Sequence, residues 1–191
     1  GIAEAMAREW NEPGEFVDPQ SMPTVRLVNS ALESGEAMAP RFREEIVKFA
    51  GNDLLLYRAE SPRELVELQE RLWDDVLVKL ARRFAISFQP TIGIVHQPQP
   101  EATLSRLAMA IEPEGLFALT ALVSITGLNG SGLLAIALRQ QLLAPDQAWL
   151  AAHVDEDYQA SLWGTIEEAT VRRARRRAEF DAAVALIGHL G

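Results

Sequence analysis

The sequence contains no cysteine in 191 residues, which excludes disulfides, thiolate metal sites and cysteine nucleophiles. Lysine is almost missing, with only Lys48 and Lys79. Histidine is scarce: His96, His153 and His189 are the only three, and no HExxH pair is present to hold zinc. Positive charge is the minority, giving a net charge of −9. A phosphate lattice would repel such a surface, so non-specific nucleic-acid binding is not expected. No fixed-period repeat appears, which argues against a solenoid. Charge itself is lacking from Gly115 to Leu138, a run long enough to cross a bilayer. Its middle reads Thr126-Gly127-Leu128-Asn129-Gly130-Ser131-Gly132, however, and a lipid-exposed turn there would strand backbone polar groups. The run predicts two buried helices joined by a tight turn, and a chain that does not span a membrane.

What is present suits a globular fold, since 48% of the residues are apolar and 24% charged, enough to build a core. Apolar spacing predicts helices over 2–11, ending before Pro13-Gly14, over 24–33 through Val25, Val28 and Leu32, and over 40–50 through Phe42, Ile46 and Phe49. Leu54-Leu55-Leu56-Tyr57 follows a Gly-Asn-Asp turn and reads as a buried strand. Ser61, Pro62 and Glu64 then announce a capped helix with Leu65, Leu68, Leu72, Val76 and Leu80 inward. Short strands are expected over 83–89 and 92–96. Beyond Pro100 the pattern is helical throughout: 102–111, 114–125, 131–143, one helix from Pro145 to about Leu162, and 165–189 opened by a Thr165–Glu168 capping box. The fold class expected is mainly α, a multihelical domain over 37–191 with a few short strands, preceded by a helical lead-in over 1–36. The chain opens on Gly1 with a helix already under way, so it reads as a processed piece of a longer chain.

The candidates for chemistry are few. Gly127, Gly130 and Gly132 resemble a phosphate loop only superficially, because the lysine and Ser/Thr are absent and an apolar helix precedes them. His153 and Asp157 form an i, i+4 pair that reads as a helix-surface hydrogen bond. The acids of Asp155-Glu156-Asp157 and Glu167-Glu168 are adjacent on helices and diverge, so they do not converge on one substrate atom. No catalytic residue, cofactor or metal is expected.

The segment from Trp149 to Trp163 carries more information. Trp149, His153, Glu156, Ala160 and Trp163 follow at intervals of four, three, four and three, which forms one stripe if a single helix runs through. Beside it Leu150, Val154, Tyr158 and Leu162 should face the core. Exposed tryptophans flanking an acid would suit a protein partner, since tryptophan is enriched at interface hot spots; packed inward they would be ordinary core. Arg172, Arg173, Arg175, Arg176 and Arg177 read as a solvated face paired with nearby acids. The apolar stripe of Phe180, Ala183, Val184, Ile187 and Leu190 must be buried, in the domain or in a self-association.

These segments also carry a resemblance. Ala7-Arg8-Glu9-Trp10, Asp18-Pro19, Met22 to Ala31, Gly51 to Ala59, Gln69 with Trp73-Asp74, Asp155 to Gln159, and Trp163-Gly164 occur in one order. Their succession resembles the assembly chaperones of the alpha subunit of F-type ATP synthase. The resemblance implies a non-catalytic chaperone that binds the unassembled alpha subunit, masks its beta-facing surface and hands it on for pairing with beta. It places the functional acid within Asp155, Glu156 and Asp157, of which Glu156 is favoured because the stripe sets it between the tryptophans; Trp149, His153, Gln159 and Trp163 are the further candidate partner-binding residues. It implies residence in the bacterial cytoplasm, or the mitochondrial matrix for a eukaryotic source. The family's strand-rich N-terminal segment, with its Asp-Gly-Arg turn, is missing, so the N-terminal α/β module reads as truncated. An enzyme with an unrecognised acidic site and a general helical adaptor are the rival readings.

Overall fold

The computed structural model describes residues 1–11 and 17–190; the expected break at Pro13-Gly14 lies outside them. At its centre stand α7 (Leu116–Asn129) and α8 (Gly132–Arg139), the two halves of the charge-free run. Helix α7 is apolar on all sides, and a helix of that kind is stable only when surrounded. It is surrounded: α2 (Pro23–Ser34), α3 (Ala39–Gly51) and α11 (Glu167–His189) all pack against it. At 14 residues it is about 21 Å long, short of a ~30 Å hydrocarbon layer. No helix among the described residues is long and apolar enough to cross a membrane.

The turn between α7 and α8 is built as the glycines suggested. Gly130 takes a left-handed conformation (φ 66°) that ends α7, and the Ser131 hydroxyl accepts the Leu134 N–H to start α8. Gly132 lets α8 lie against the backbone of α3, because a Cβ there would stand 2.3 Å from the Ile46 carbonyl oxygen. Asp53, wholly buried, ties the same corner to the loop after α3. Its carboxylate accepts from Ser131 Oγ (2.7 Å), the Leu133 N–H (2.9 Å) and the Leu55 N–H (3.2 Å). Burial pushes its pKa up to about 7, against the pull of these donors.

Helix α1 (Ile2–Asn11) runs as expected and packs on α2, where both Glu9 carboxylate oxygens accept N–H groups of the first turn, from Thr24 and Val25. Helix α2 turns its Thr24, Leu27 and Ala31 side inward together with Val25, and Leu32 is exposed. The expected buried strand over 54–57 is instead a 3-10 turn, Leu54–Leu56, followed by a two-residue strand β1 (Tyr57–Arg58). Asp53 causes this, since its side chain takes the Leu55 N–H and folds the segment into a turn.

The next helix is a composite. Helix α4 (Arg63–Gln69) passes through a π-helical turn, Glu70–Asp74, into α5 (Asp75–Phe84). Ser61 does not cap it; Pro62 holds the N-cap position without a side-chain bond. The π turn accommodates an extra residue, so the buried positions read Leu65, Gln69, Trp73, Val76, Leu77 and Leu80, and Leu68 and Leu72 fall to the flank.

The expected strands over 83–89 and 92–96 reduce to β2 (Thr91–Ile92), parallel to β1 with Tyr57 opposite Thr91. Side chains of the following segment replace a partner strand. Arg106 donates to the carbonyls of Phe84 and Ala85, Thr103 to that of Ser87, and Gln99 both donates to and accepts from the Gln89 backbone. With those groups satisfied no sheet is needed. Helix α6 (Glu101–Ile111) follows and packs on α3 and α8.

The helix expected from Pro145 to Leu162 is two: α9 (Pro145–Ala152) and α10 (Val154–Trp163), broken at His153 (φ −116°, ψ 17°). The imidazole Nδ1 takes the Trp149 carbonyl at 2.8 Å, the acceptor a continuous helix would give to the His153 backbone N–H. That N–H turns to Leu150 instead. Helix α11 begins at Glu167 with Ile166 as N-cap, so the Thr165 capping box does not form. Its terminal stripe is internal: Phe180, Ala183, Leu186 and Ile187 are buried, whereas Leu190 is exposed.

Candidate functional site

Because the helix breaks at His153, the predicted stripe does not assemble. Trp149 and His153 belong to the core, only 5% and 2% exposed. Trp149 stacks on His153 with ring centroids 4.0 Å apart and meets Phe180 at 5.3 Å, while Arg173 and Arg177 lie over its ring. The second stripe divides as well: Val154 is buried and Tyr158 partly so, but Leu150 and Leu162 are exposed rather than core-facing.

What remains of the predicted set gathers on α10. Glu156, Asp157, Gln159 and Trp163 line a cleft of about 600 Å³ between α10 and the first half of α11, together with Ala160, Ile166 and Ala169. Gly164 (φ 77°) turns the chain between the helices, and no residue with a Cβ adopts that geometry cheaply. Trp163 is 82% exposed and Ile166 68%, an uncommon pair of large apolar side chains to leave in water. Arg172, Arg173 and Arg176 form the opposite wall. The arginine run is solvated and largely paired, as its composition suggested: Arg173 with Asp157, Arg176 with Glu156 at 3.5 Å, and Arg177 with Asp146 and Asp181. Arg176 also donates to the Leu128 carbonyl at the end of α7, which anchors the hairpin to the core.

The three acids are thus not equivalent. Asp157 and Glu156 face arginines of α11, whereas Asp155 points toward α4 and accepts the Gln69 amide N–H at 2.8 Å. All three stand in the first turn of α10, at the positive end of its dipole. Beneath them His153 is neutral: burial lowers its pKa, its Nδ1 must carry the proton given to the Trp149 carbonyl, and Nε2 has no partner among the described residues. Glu156 Oε2 lies 3.9 Å from that nitrogen.

Among the described residues no three His, Cys, Asp or Glu side chains come together as a metal site. The arrangement offers apolar anchors ringed by charges of both signs, which suits docking rather than bond chemistry. Ile166, which also lines the cleft, was not singled out by its position in the sequence, and Arg172 was read only as part of a solvated face. The exposed isoleucine beyond Trp163-Gly164 was the available signal. A separate groove of about 720 Å³ runs between α3 and α6 over Val47, Leu104 and Met109.

A family model described as ATP12 chaperone protein matches residues 1–81. Among solved structures, the chain is similar to the Atu1473 protein of Agrobacterium tumefaciens, with 36% identity and a TM-score of 0.92 over 100% of this chain and 71% of that one. It is similar also to Atp12 from Paracoccus denitrificans, with 32% identity and a TM-score of 0.83 over 98% of this chain and 80% of that one. An aspartate-to-lysine mutant of that Paracoccus protein matches equally well.

Proposed function

This chain belongs to the ATP12 chaperone family, and from that footing we propose that it binds the unassembled alpha subunit of F-type ATP synthase through the α10–α11 hairpin. Docking there masks the surface that beta later covers, and the client is released for alpha–beta pairing without any catalytic step. Glu156, Asp155, Asp157, Gln159 and Trp163 form the docking surface, while Trp149 and His153 support it from below. The observation that carries this reading is the exposed Trp163–Ile166 pair set among acids and arginines. A lone subunit with an uncovered interface aggregates, and a chaperone must cover it less tightly than the final partner does.

The test is capture of separately expressed alpha and beta subunits, together with suppression of alpha aggregation. Trp163→Ala leaves the fold intact and weakens alpha capture by roughly 30-fold, the equivalent of a ~2 kcal/mol hot spot. Glu156→Lys weakens it by removing a cleft-wall charge. Equal binding of alpha and beta by the unaltered chain, or undiminished alpha protection by both variants, would refute the proposal.

A further inference from the structure

Gln69 lies far from α10 in sequence and is polar, yet it is only 2% exposed. Its side chain has no freedom left. Oε1 accepts the Ala59 N–H at 2.8 Å, beside β1, and Nε2 donates to Asp155 Oδ1 at 2.8 Å. Four residues on, inside the π turn, the Trp73 indole N–H donates to the Ala151 carbonyl at 2.7 Å. The two bonds fall on either side of the His153 break, Trp73 holding the end of α9 and Gln69 the first turn of α10. An ordinary helical turn in place of the π turn would rotate everything after it relative to Gln69 by about 100°, so one of the two bonds would be lost.

The acid that Gln69 grips is also the one left without a cation. Asp157 is met by Arg173, and Glu156 by Arg173 and Arg176, whereas no Lys, Arg or His of the described residues lies within ion-pair distance of Asp155. Asp155 is exposed, with one carboxylate oxygen committed to an amide donor. A neutral donor orients a carboxylate without cancelling its charge.

We propose that Gln69 is a positioning residue for the docking face: it holds the Asp155 carboxylate at a fixed angle, its charge unspent, for a basic side chain of the client. The proposal rests on the reading that the α10 face docks the client. It assigns the unpaired charge of the docking surface to Asp155, while Glu156 and Asp157 line the cleft with charges that also fasten α10 to α11. The π turn is then the device that keeps both helices of the broken segment in register with one buried amide.

A double-mutant cycle on the full chain tests it, with the dissociation constant for the alpha subunit and a thermal melt measured for each member. Asp155→Asn keeps an acceptor for Gln69 and removes only the charge; binding weakens about tenfold. Gln69→Met keeps length and removes both the donor to Asp155 and the acceptor for the Ala59 N–H, the second loss being read from the melt; binding weakens about as much. The double variant binds no worse than Asp155→Asn alone, because Gln69 acts through that carboxylate. If the two losses multiply, or if Asp155→Asn binds as tightly as the unaltered chain, Gln69 is merely structural and the proposal falls. Should Gln69→Met melt too low to assay, Gln69→Asn, whose shorter amide cannot make both bonds, takes its place in the cycle with the same expected and refuting outcomes. If the unaltered chain captures no alpha subunit, it is the functional reading above that fails instead.

Discussion

Replacing Gly132 with alanine sets two simple effects against each other. Alanine is the better helix former, and at the first position of α8 it should contribute at most ~1 kcal/mol. The structure opposes it. An alanine Cβ would lie 2.3 Å from the Ile46 carbonyl oxygen and 2.8 Å from the Ala50 backbone nitrogen. Both are main-chain atoms of α3, so no side chain can swing aside, and the helices must part by about 1 Å to restore ordinary contact. Parting them loosens a region where Ile46, Ala50, Leu133 and Leu134 are fully buried. It also stretches the Asp53 bonds to Ser131 and Leu133. Overpacking of this kind costs ~1–3 kcal/mol, and weakened buried hydrogen bonds add ~1 kcal/mol. The net is a loss of about 2–3 kcal/mol, which in a chain of this size lowers Tm by roughly 5–12 °C. Thermal melts followed by circular dichroism measure it, with Gly127→Ala and Gly188→Ala as controls. Both controls are helical, and an added Cβ would have nothing within 4 Å; they should raise Tm by a few degrees or leave it unchanged. A Gly132→Ala protein as stable as the original would show that the close approach of α8 to α3 is wrong.

The pH dependence of stability separates two buried groups with opposite signs. Asp53 has its pKa raised from 3.8 to about 7, so the folded state holds a proton that the unfolded chain gives up. Its contribution is therefore greatest near pH 4 and is lost as pH rises to 7, by up to ~4 kcal/mol. Denaturant titrations of the original and Asp53→Asn across that range should converge or cross accordingly; parallel curves would refute the burial argument. His153 behaves the other way, because burial lowers its pKa. The folded state resists protonation, so stability is full above pH 6.5 and falls below it, a fall that His153→Gln should lack. Glu9→Ala removes both acceptors from the first turn of α2 and should cost about 1–2 kcal/mol in urea unfolding.

Most of the helical architecture was legible because it depends on local periodicity. The stretches 2–11, 24–33, 40–50 and 102–111 each present a recurring apolar side, and the observed helices agree within a residue or two. The charge-free run from Gly115 to Leu138 could be stable in water only as buried helices, and its glycines marked the turn. The strands were misread because short apolar runs do not distinguish a strand from a 3-10 turn. What decided between them was Asp53, which takes the Leu55 N–H to fold the turn and is itself buried against Ser131 and Leu133, nearly eighty positions away.

The α10–α11 region divides along the same line. Chain order alone indicated that two tryptophans, the Asp155–Asp157 acids and the arginine run follow one another between positions 149 and 177, and charge balance that the arginines would find acids. Which tryptophan is buried and which is bare was settled by tertiary contacts. A histidine side chain displaced a backbone N–H from the Trp149 carbonyl, broke the helix, and sent Trp149 inward while Trp163 stayed in solvent. Likewise Gln69 stands out in the sequence only through the resemblance, and its bond to Asp155 exists only because the fold brings α4 against α10. Local sequence determines which helices can form, because helix formation follows periodicity within a few turns. Buried side chains that bond to backbone groups determine where those helices break, sometimes locally as His153 does with Trp149, while which faces they show depends on partners far along the chain, such as Gln69 and Asp155, that no short stretch of sequence contains together.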